Sequence, residues 1–333
     1  MKLGFNENEH EGVLRALGID IRTINPAYTG PDLFGQIPGR RVNQMYGYVT
    51  RWVPNESGGY WDFCDFPLMN AEGEKISGFK IPNPDDFDYD SAVEAARAFS
   101  RENLALHIGT AGFCDIINAT GRVMGMEDTL VNLFNEDEAT LNYIDRRHSM
   151  EIGILERLLS RIPEMITYIH IGEDLGTQHS PMISLDLYRR VLRPRHQRYI
   201  DLAKSYNKPV MIHTCGCSGW VYNDFIEMGV SAVDTLQPEA AGMAPQTLKD
   251  RYCGRLAFQG CISTAGPLAY GTAEDTGKNV RETLDIMTPG GGYILAPTHM
   301  IQDNTPVNNI IAMYDTARSY KINPRQKSMN SRK

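Results

Sequence analysis

The sequence lacks the long apolar segments of a membrane protein. Among its 333 residues, no uninterrupted apolar run approaches the roughly 20 residues that a membrane-spanning helix needs. The amino end, MKLGFNENEHEG, is too polar for a secretory signal peptide. We therefore expect a cytoplasmic protein with no membrane partner.

An excess of positive charge is also missing. Lys and Arg number 33 against 41 Asp and Glu, which leaves a formal net charge of -8 at pH 7. Proteins that bind nucleic acid cluster Lys and Arg in order to neutralise phosphates. This charge balance argues against a nucleic-acid partner.

Cysteine is too sparse for a disulfide framework. The chain has six cysteines, and without a secretory context they are expected to be reduced thiols. Four of the six lie between positions 215 and 261. That segment is therefore the first place to look for thiol or metal chemistry.

A dinucleotide fingerprint is absent too, because no GxGxxG opens a helix after a strand-like run. From about residue 104 the chain instead alternates short apolar runs with amphipathic stretches. Such βα repeats predict an α/β fold, a single (β/α)₈ TIM-type barrel rather than a doubly wound sheet. The runs that predict strands are LALHIGTAG, ITYIHIGED, KPVMIHTCG, SAVDTLQPE, RLAFQGCIST and GGYILAPTH.

The residues before these repeats predict an irregular α+β extension. It is expected to contain a short helix over His10–Leu17, a strand within LGIDIRTI and a β-hairpin around a Gly-Gly pair. The Asp-rich segment IPNPDDFDYDSA is interpreted as a turn and the N-cap of a helix beginning at Ala92. We predict an extension that caps the barrel, the barrel itself and a polar basic tail over residues 1–100, 101–322 and 323–333.

Polar side chains follow several of the predicted strands. In a (β/α)₈ barrel the catalytic groups lie at the carboxyl ends of the strands, so these side chains are expected to converge on one mouth. Glu173 and Asp174 are the candidate catalytic residues, as a general acid or as groups that orient a ligand. The alternative is that each is a hydrogen-bonded structural carboxylate at a strand end.

Candidate metal ligands lie at other strand ends. His213 and Cys215 are two residues apart, where alternate side chains of a strand point the same way. His299 offers a third ligand, and Cys217 or Cys261 offers a fourth. An open position filled by water or substrate would suit a catalytic zinc. From these residues alone, packed histidines and inert buried thiols remain an alternative.

Six segments of the chain carry a family resemblance: EDLGTQHSPMIS, PRHQRYIDLAK, KPVMIHTCGCS, DTLQPEAAGM, FQGCIST and GGYILAPTHMIQDNTP. They resemble the uroporphyrinogen decarboxylase superfamily, closest in motif to its corrinoid-dependent methyltransferase branch. The resemblance implies a (β/α)₈ fold and a zinc held by a His-x-Cys pair and a distal Cys. His213 and Cys215 match that pair, whereas His299 stands at the place of the distal Cys.

The resemblance also implies an activity. This activity is the zinc-dependent transfer of a methyl group between a small ether or thiol and a corrinoid (cobalamin) that a partner protein carries. The resemblance also implies that the enzyme can form a homodimer. The Arg-Gln-Ala-Gly-Arg motif, whose arginines hold the substrate in uroporphyrinogen decarboxylases, is absent. A metal-free decarboxylase of a polycarboxylate is the alternative enzyme, and a binding module without catalysis is the non-enzymatic alternative.

Overall fold

The computed structural model describes residues 9–56 and 58–321. The predicted basic tail, 323–333, lies outside the described residues. The chain has an α/β fold with parallel sheet strands, as the βα repeats predict. No described helix is both long enough and apolar enough to cross a membrane.

The strands are short, as is usual in globular proteins. In chain order they are β1 (Ile21–Thr23), β2 (Ala27–Tyr28), β3 (Arg41–Val42), β4 (Val49–Asn55), β5 (Gly58–Cys64), β6 (Phe87–Asp88), β7 (Ala105–Gly109), β8 (Tyr168–Gly172), β9 (Val210–His213), β10 (Ala232–Leu236), β11 (Ala257–Ile262) and β12 (Tyr293–Pro297).

Helices separate most of the later strands. In chain order they are α1 (His10–Leu17), α2 (Gly73–Ser77), α3 (Tyr89–Ser100), α4 (Ile117–Met124), α5 (Met126–Phe134), α6 (Glu138–Arg161), α7 (Leu185–Leu187), α8 (Arg193–Ser205), α9 (Tyr222–Met228), α10 (Pro245–Tyr252), α11 (Pro267–Tyr270), α12 (Ala273–Met287) and α13 (Val307–Ser319). A 3₁₀ turn, Pro163–Met165, precedes β8, and a π-helical turn, Tyr188–Leu192, joins α7 to α8.

The chain forms two compact units. The first comprises Met1–Ile21, Leu175–Met182 and Met211–Lys333, and the second comprises Arg22–Asp174 and Ile183–Val210. The predicted domain boundaries, at residues 100 and 322, remain a prediction.

The first unit is built on four parallel strands. They are ordered β9, β10, β11, β12, so that each pairs with the next one in the chain. All five residues of β10 are buried, which is the pattern of a strand covered on both faces. Beyond β11, a cluster of buried side chains contains Ile262, Leu268, Val280, Leu284 and Met313.

The second unit contains a parallel pair and an antiparallel sheet. Strands β7 and β8 pair in parallel, with His107 opposite Tyr168. Strands β3, β4 and β5 form the antiparallel sheet. The long helix α6 buries eleven of its 24 residues, including the ionisable residues Arg147 and Glu151, so it forms much of this unit's interior.

Local sequence signals locate the predicted elements, although the helix predicted to begin at Ala92 begins three residues earlier, at Tyr89. The predicted helix His10–Leu17 is α1, and β4 and β5 form the predicted hairpin. Asp88 is the N-cap of α3, because its carboxylate accepts a hydrogen bond from the backbone N–H of Ser91 at 3.0 Å. The six apolar runs correspond to β7 to β12. The closed eight-stranded barrel and its capping by the extension remain predictions.

Pro194 disturbs the helical segment that contains it. Ser184 caps α7 by accepting a hydrogen bond from the N–H of Leu187. The chain then passes through the π-helical turn directly before Arg193 and Pro194. A proline lacks the N–H and crowds the carbonyl of the preceding turn, so a wider turn relieves that crowding.

Candidate functional site

His213 lies at the end of β9 in the first unit, where three buried apolar residues precede it. On the neighbouring strand β10, Asp234 is its register partner. The Nδ1 atom of His213 is 2.9 Å from Oδ1 of Asp234. A proton on Nδ1 that is donated to this carboxylate would leave Nε2 of a neutral imidazole to bind a metal.

Cys215 lies beside this histidine. Its Sγ atom is 3.4 Å from Nε2 of His213. A tetrahedral zinc with a Zn–N bond of about 2.05 Å and a Zn–S bond of about 2.3 Å holds its nitrogen and sulfur ligands about 3.6 Å apart. The two donor atoms therefore have the separation that a shared zinc requires. The Asp234 carboxylate behind His213 is the usual outer partner of a zinc-bound imidazole.

Glycine allows the bend after Cys215. Gly216 has a φ of +68°, and a Cβ there would lie 2.4 Å from the backbone oxygen of Gly176. A Cβ on Gly176 would lie 2.5 Å from the backbone nitrogen of Cys217. The close approach of these two loops, closed by the hydrogen bond from Cys217 N–H to the Thr177 carbonyl, fixes the backbone that carries Cys215.

The protonation of His213 is set by its neighbours. Burial by itself would lower the pKa of His213, but its hydrogen bonds to Asp234 and Cys215 raise that pKa well above the usual value. The environment therefore favours positive charge at this point. A bound divalent cation would supply such a charge in place of the proton.

The other predicted metal ligands do not lie close to His213 and Cys215 in the way that these two lie close to each other. Within the part of the chain that the structure describes, His299, Cys217 and Cys261 belong to no group of three ligand atoms that lie within 4.8 Å of one another. His299 is exposed just beyond β12, and β10 and β11 separate β12 from β9. Cys261 is buried, and burial raises the pKa of its thiol to about 12. A third or fourth ligand remains a prediction.

Glu173 lies in the second unit, just after β8, and is fully enclosed. Its two oxygens accept hydrogen bonds from the backbone N–H groups of Ile116 and Ile117, at 2.8 and 3.0 Å, at the start of α4. Nε2 of His196 lies 3.2 Å from its Oε2 atom. The carboxyl group of Glu173 therefore caps the helix, with a geometry that supports the structural alternative for this residue.

Asp174 has a different environment. It is half-buried, and its Oδ2 atom accepts a hydrogen bond from the side-chain amide of Asn118 at 2.7 Å. Asn118 is in turn held by the Asp115 carboxylate, which accepts from its backbone N–H. Of the two predicted catalytic carboxylates, Asp174 is the one with a surface open to a ligand.

Burial shifts the pKa values of Glu173 and His196. It raises the pKa of Glu173 to about 8 and lowers the pKa of His196 to about 3. A carboxyl group whose pKa is higher in the folded protein than in the unfolded chain adds stability at low pH. That stability is fully present below the pKa of the unfolded chain, about 4.3 for Glu, and is lost as pH rises through the pKa of the folded protein. The stability linked to Glu173 should therefore decline between about pH 4 and about pH 8.

We expect Glu173→Gln to remove this pH dependence. The variant loses a cap and should be less stable than wild type near about pH 5. Near about pH 9 its free energy of unfolding should rise by a few kcal/mol relative to that of wild type. The reason is that each unit of pKa shift is worth about 1.4 kcal/mol. Urea unfolding at both pH values measures the difference. Glu156→Gln, an exposed site on α6, is the control. Parallel pH profiles for Glu173→Gln and wild type would contradict the assignment.

Sequence reasoning missed two partners in these groups. His196 was part of an arginine-rich helical segment with no signal for a buried histidine, and Asn118 had no distinguishing pattern. Asp234 lies within the predicted strand run SAVDTLQPE, but its pairing with His213 follows only from the register of β9 and β10. That register is a long-range feature that no local pattern specifies.

Comparison with protein-family models finds one that spans most of the chain. The model described as Uroporphyrinogen decarboxylase (URO-D) matches residues 84–320. The chain belongs to the uroporphyrinogen decarboxylase family. This confirms the resemblance seen in the sequence, and the match includes His213, Cys215 and both carboxylates that follow β8.

Solved structures resemble this family member in fold. A methyltransferase from Methanosarcina mazei aligns with a TM-score of 0.58 and 16% identity, covering 78% of this chain and 72% of that one. An endo-beta-1,4-xylanase from Gloeophyllum trabeum aligns with a TM-score of 0.42 and 11% identity, covering 71% and 82%, a likeness too weak to carry an argument. No curated protein matches the chain in sequence.

Proposed function

We propose that this member of the uroporphyrinogen decarboxylase family is a zinc-dependent methyltransferase. It moves a methyl group between a small ether or thiol and a corrinoid carried by a partner protein. The observation that carries the proposal is the arrangement in which His213 Nε2 and Cys215 Sγ lie 3.4 Å apart while Asp234 holds Nδ1. The likeness in fold to a methyltransferase supports the same reaction class.

Each residue of this centre has a defined task. His213 and Cys215 would bind the zinc, and Asp234 keeps the imidazole in the tautomer that presents Nε2. The metal would supply Lewis acidity toward an oxygen or a thiol at which charge develops. If His299 completes the set, two neutral imidazoles and one thiolate leave a net positive charge, which strengthens that acidity compared with two thiolates.

The two carboxylates after β8 divide their roles in this proposal. Asp174 is open to a ligand and held by Asn118, so it can orient the substrate or act as a general acid. Glu173 is buried, and its oxygens are occupied by the start of α4, so it positions the backbone that carries Asn118. A cytoplasmic location and a homodimer remain part of the proposal.

The proposal is tested by zinc content and by methyl transfer. Protein purified without chelator should carry zinc in a one-to-one ratio and should transfer a methyl group between a small substrate and a corrinoid. A wild-type protein that binds no stoichiometric zinc would overturn the metal assignment. Zinc binding without any transfer to or from a corrinoid would overturn the reaction assignment.

Asp234→Asn provides a finer test of the centre. The amide cannot hold the imidazole as a charged carboxylate does, so zinc affinity should fall by about 10- to 100-fold. Competition with a chromophoric chelator measures the dissociation constant. Asp250→Asn, an exposed site in the same unit, should bind zinc as wild type does. Equal affinities for Asp234→Asn and wild type would show that Asp234 does not support a ligand.

The description of the matching family favours one second candidate, a decarboxylase of a polycarboxylate that needs no metal. Incubation of zinc-free protein with uroporphyrinogen, followed by analysis of the products, distinguishes the two reactions. Decarboxylated products from the zinc-free protein would favour this candidate over the methyltransferase.

A further inference from the structure

The second unit contains a cavity of about 380 Å³. That volume is within the range that binds small organic molecules. Helix α4, the start of α5 and the end of the β4–β5 hairpin contribute its lining, which consists of Phe63, Phe66, Asn118, Gly121, Arg122 and Met126.

The walls of this cavity are apolar and open to solvent. Phe63 and Met126 are 37% and 39% exposed, although large apolar side chains at a cavity are usually covered. A Cβ on Gly121 would lie 3.2 Å from Cε of Met126, so the missing side chain leaves room for the methionine. Two phenylalanine rings and a methionine thus offer a surface suited to a flat apolar group.

Arg122 supplies the only positive charge in this lining. Its guanidinium carbon lies 5.1 Å from the centre of the Phe63 ring. Among residues 9–56 and 58–321, Arg122 makes no hydrogen bond or ion pair. Its charge does influence Asp115, but that carboxyl group is buried and hydrogen-bonded to the backbone of Asn118. The planar fork of N–H donors is therefore available to a ligand.

The polar edge of the cavity connects it to the candidate acid. Asn118 lines the cavity, and its side-chain amide donates to Asp174. A ligand in the cavity would therefore contact the residue that orients Asp174. The cavity therefore offers a cation, apolar side chains and, next to Asn118, an oriented carboxyl group. The cation and the apolar side chains suit a ligand that has an apolar body and one anionic end.

We propose that this cavity binds an aromatic carboxylate, with the carboxylate on Arg122 and the ring between Phe63, Phe66 and Met126. A carboxylate can accept two parallel hydrogen bonds from the guanidinium group. A phosphate carries more negative charge, which the single cation of this lining would not neutralise. The inference rests on the proposed function in one respect, since it names the class of the small methyl-bearing substrate. Binding itself requires neither zinc nor a corrinoid.

Calorimetric titration of the full chain with para-methoxybenzoate tests the inference. The neutral para-methoxybenzamide is the matched probe without charge. We expect Arg122→Gln to weaken binding of the carboxylate by at least about tenfold, because hydrogen bonds to a charged group are among the stronger ones. The same variant should change binding of the amide by less than about threefold.

Three further variants complete the experiment. Arg122→Lys keeps the charge without the fork and should lie between wild type and Arg122→Gln. Phe66→Ala should weaken both probes, since it removes part of the apolar wall. Arg97→Gln, an exposed site in the same unit, should bind both probes as wild type does. Thermal unfolding of each variant establishes that it is folded.

The outcomes separate this inference from the proposed function. No binding of para-methoxybenzoate at millimolar concentration, or equal binding by wild type and Arg122→Gln, would overturn the inference whatever the protein catalyses. Binding that depends on Arg122, with no methyl transfer from the bound ether to a corrinoid, would support the cavity and contradict the proposed reaction. Transfer whose KM is unchanged in Arg122→Gln would support the reaction and contradict the cavity.

Discussion

Cys215→Ser is expected to purify without stoichiometric zinc and to lose methyl transfer by at least about 100-fold. Replacing only the outer partner of a metal ligand costs about 10- to 100-fold, so losing a thiolate ligand should cost more. A serine hydroxyl remains protonated at neutral pH and is a poor ligand for zinc. His213→Ala should have the same effect because it removes the other donor of the pair. Zinc analysis and a transfer assay measure the two losses.

Matched variants show whether the effect is specific. Cys253→Ser changes an exposed thiol of the same unit and should retain zinc and activity. His299→Ala tests the third predicted ligand by itself, and loss of zinc in this variant would assign it to the centre. If Cys215→Ser and His213→Ala both retained zinc at wild-type affinity, the pair would not be a metal site.

Glu151→Ala is expected to destabilise the protein by about 3–5 kcal/mol. Glu151 is fully buried, and its Oε2 atom accepts hydrogen bonds from the Tyr199 hydroxyl at 2.6 Å and the Cys114 backbone N–H at 3.0 Å. Its charge raises the pKa of the buried Arg147, against the effect of burial. Without Glu151, the Arg147 cation would be buried with no compensating charge from this position.

Urea unfolding at neutral pH measures this loss. Glu156→Ala lies on the exposed side of the same helix and should change stability by less than about 0.5 kcal/mol, apart from a small gain in helix propensity. The double variant Glu151→Leu with Arg147→Met replaces both charges by apolar groups and should be more stable than Glu151→Ala. A loss below about 1 kcal/mol for Glu151→Ala would contradict the role of the buried pair.

Local patterns in the sequence were sufficient for many strands of the fold and for two of its helices. Short apolar runs predicted β7 to β12, since strands buried on both faces have few polar positions. The Asp88 cap and the hairpin followed from residues that are neighbours in the chain. The arrangement of those elements into a closed barrel is not a local property, and it remains a prediction.

The candidate site was predictable to different degrees. The spacing of His213 and Cys215 at a strand end predicted two donors on the same side, and they lie together. Asp234 comes 21 positions after His213, and only the pairing of β9 with β10 brings its carboxylate to Nδ1. The environment of Arg122 was not predicted, since the lack of an ion pair with it among the described residues depends on the surrounding packing.

The sequence by itself determined the strands β7 to β12, the family and the candidate pair of metal donors, because each depends on neighbouring residues or on a continuous motif. Tertiary structure decided how the two adjacent carboxylates differ. Glu173 and Asp174 are consecutive in the chain, yet one is enclosed by the start of α4 and the other remains partly open. Both residues directly follow β8, yet their side chains meet different surroundings, and burial in those surroundings raises the pKa of Glu173.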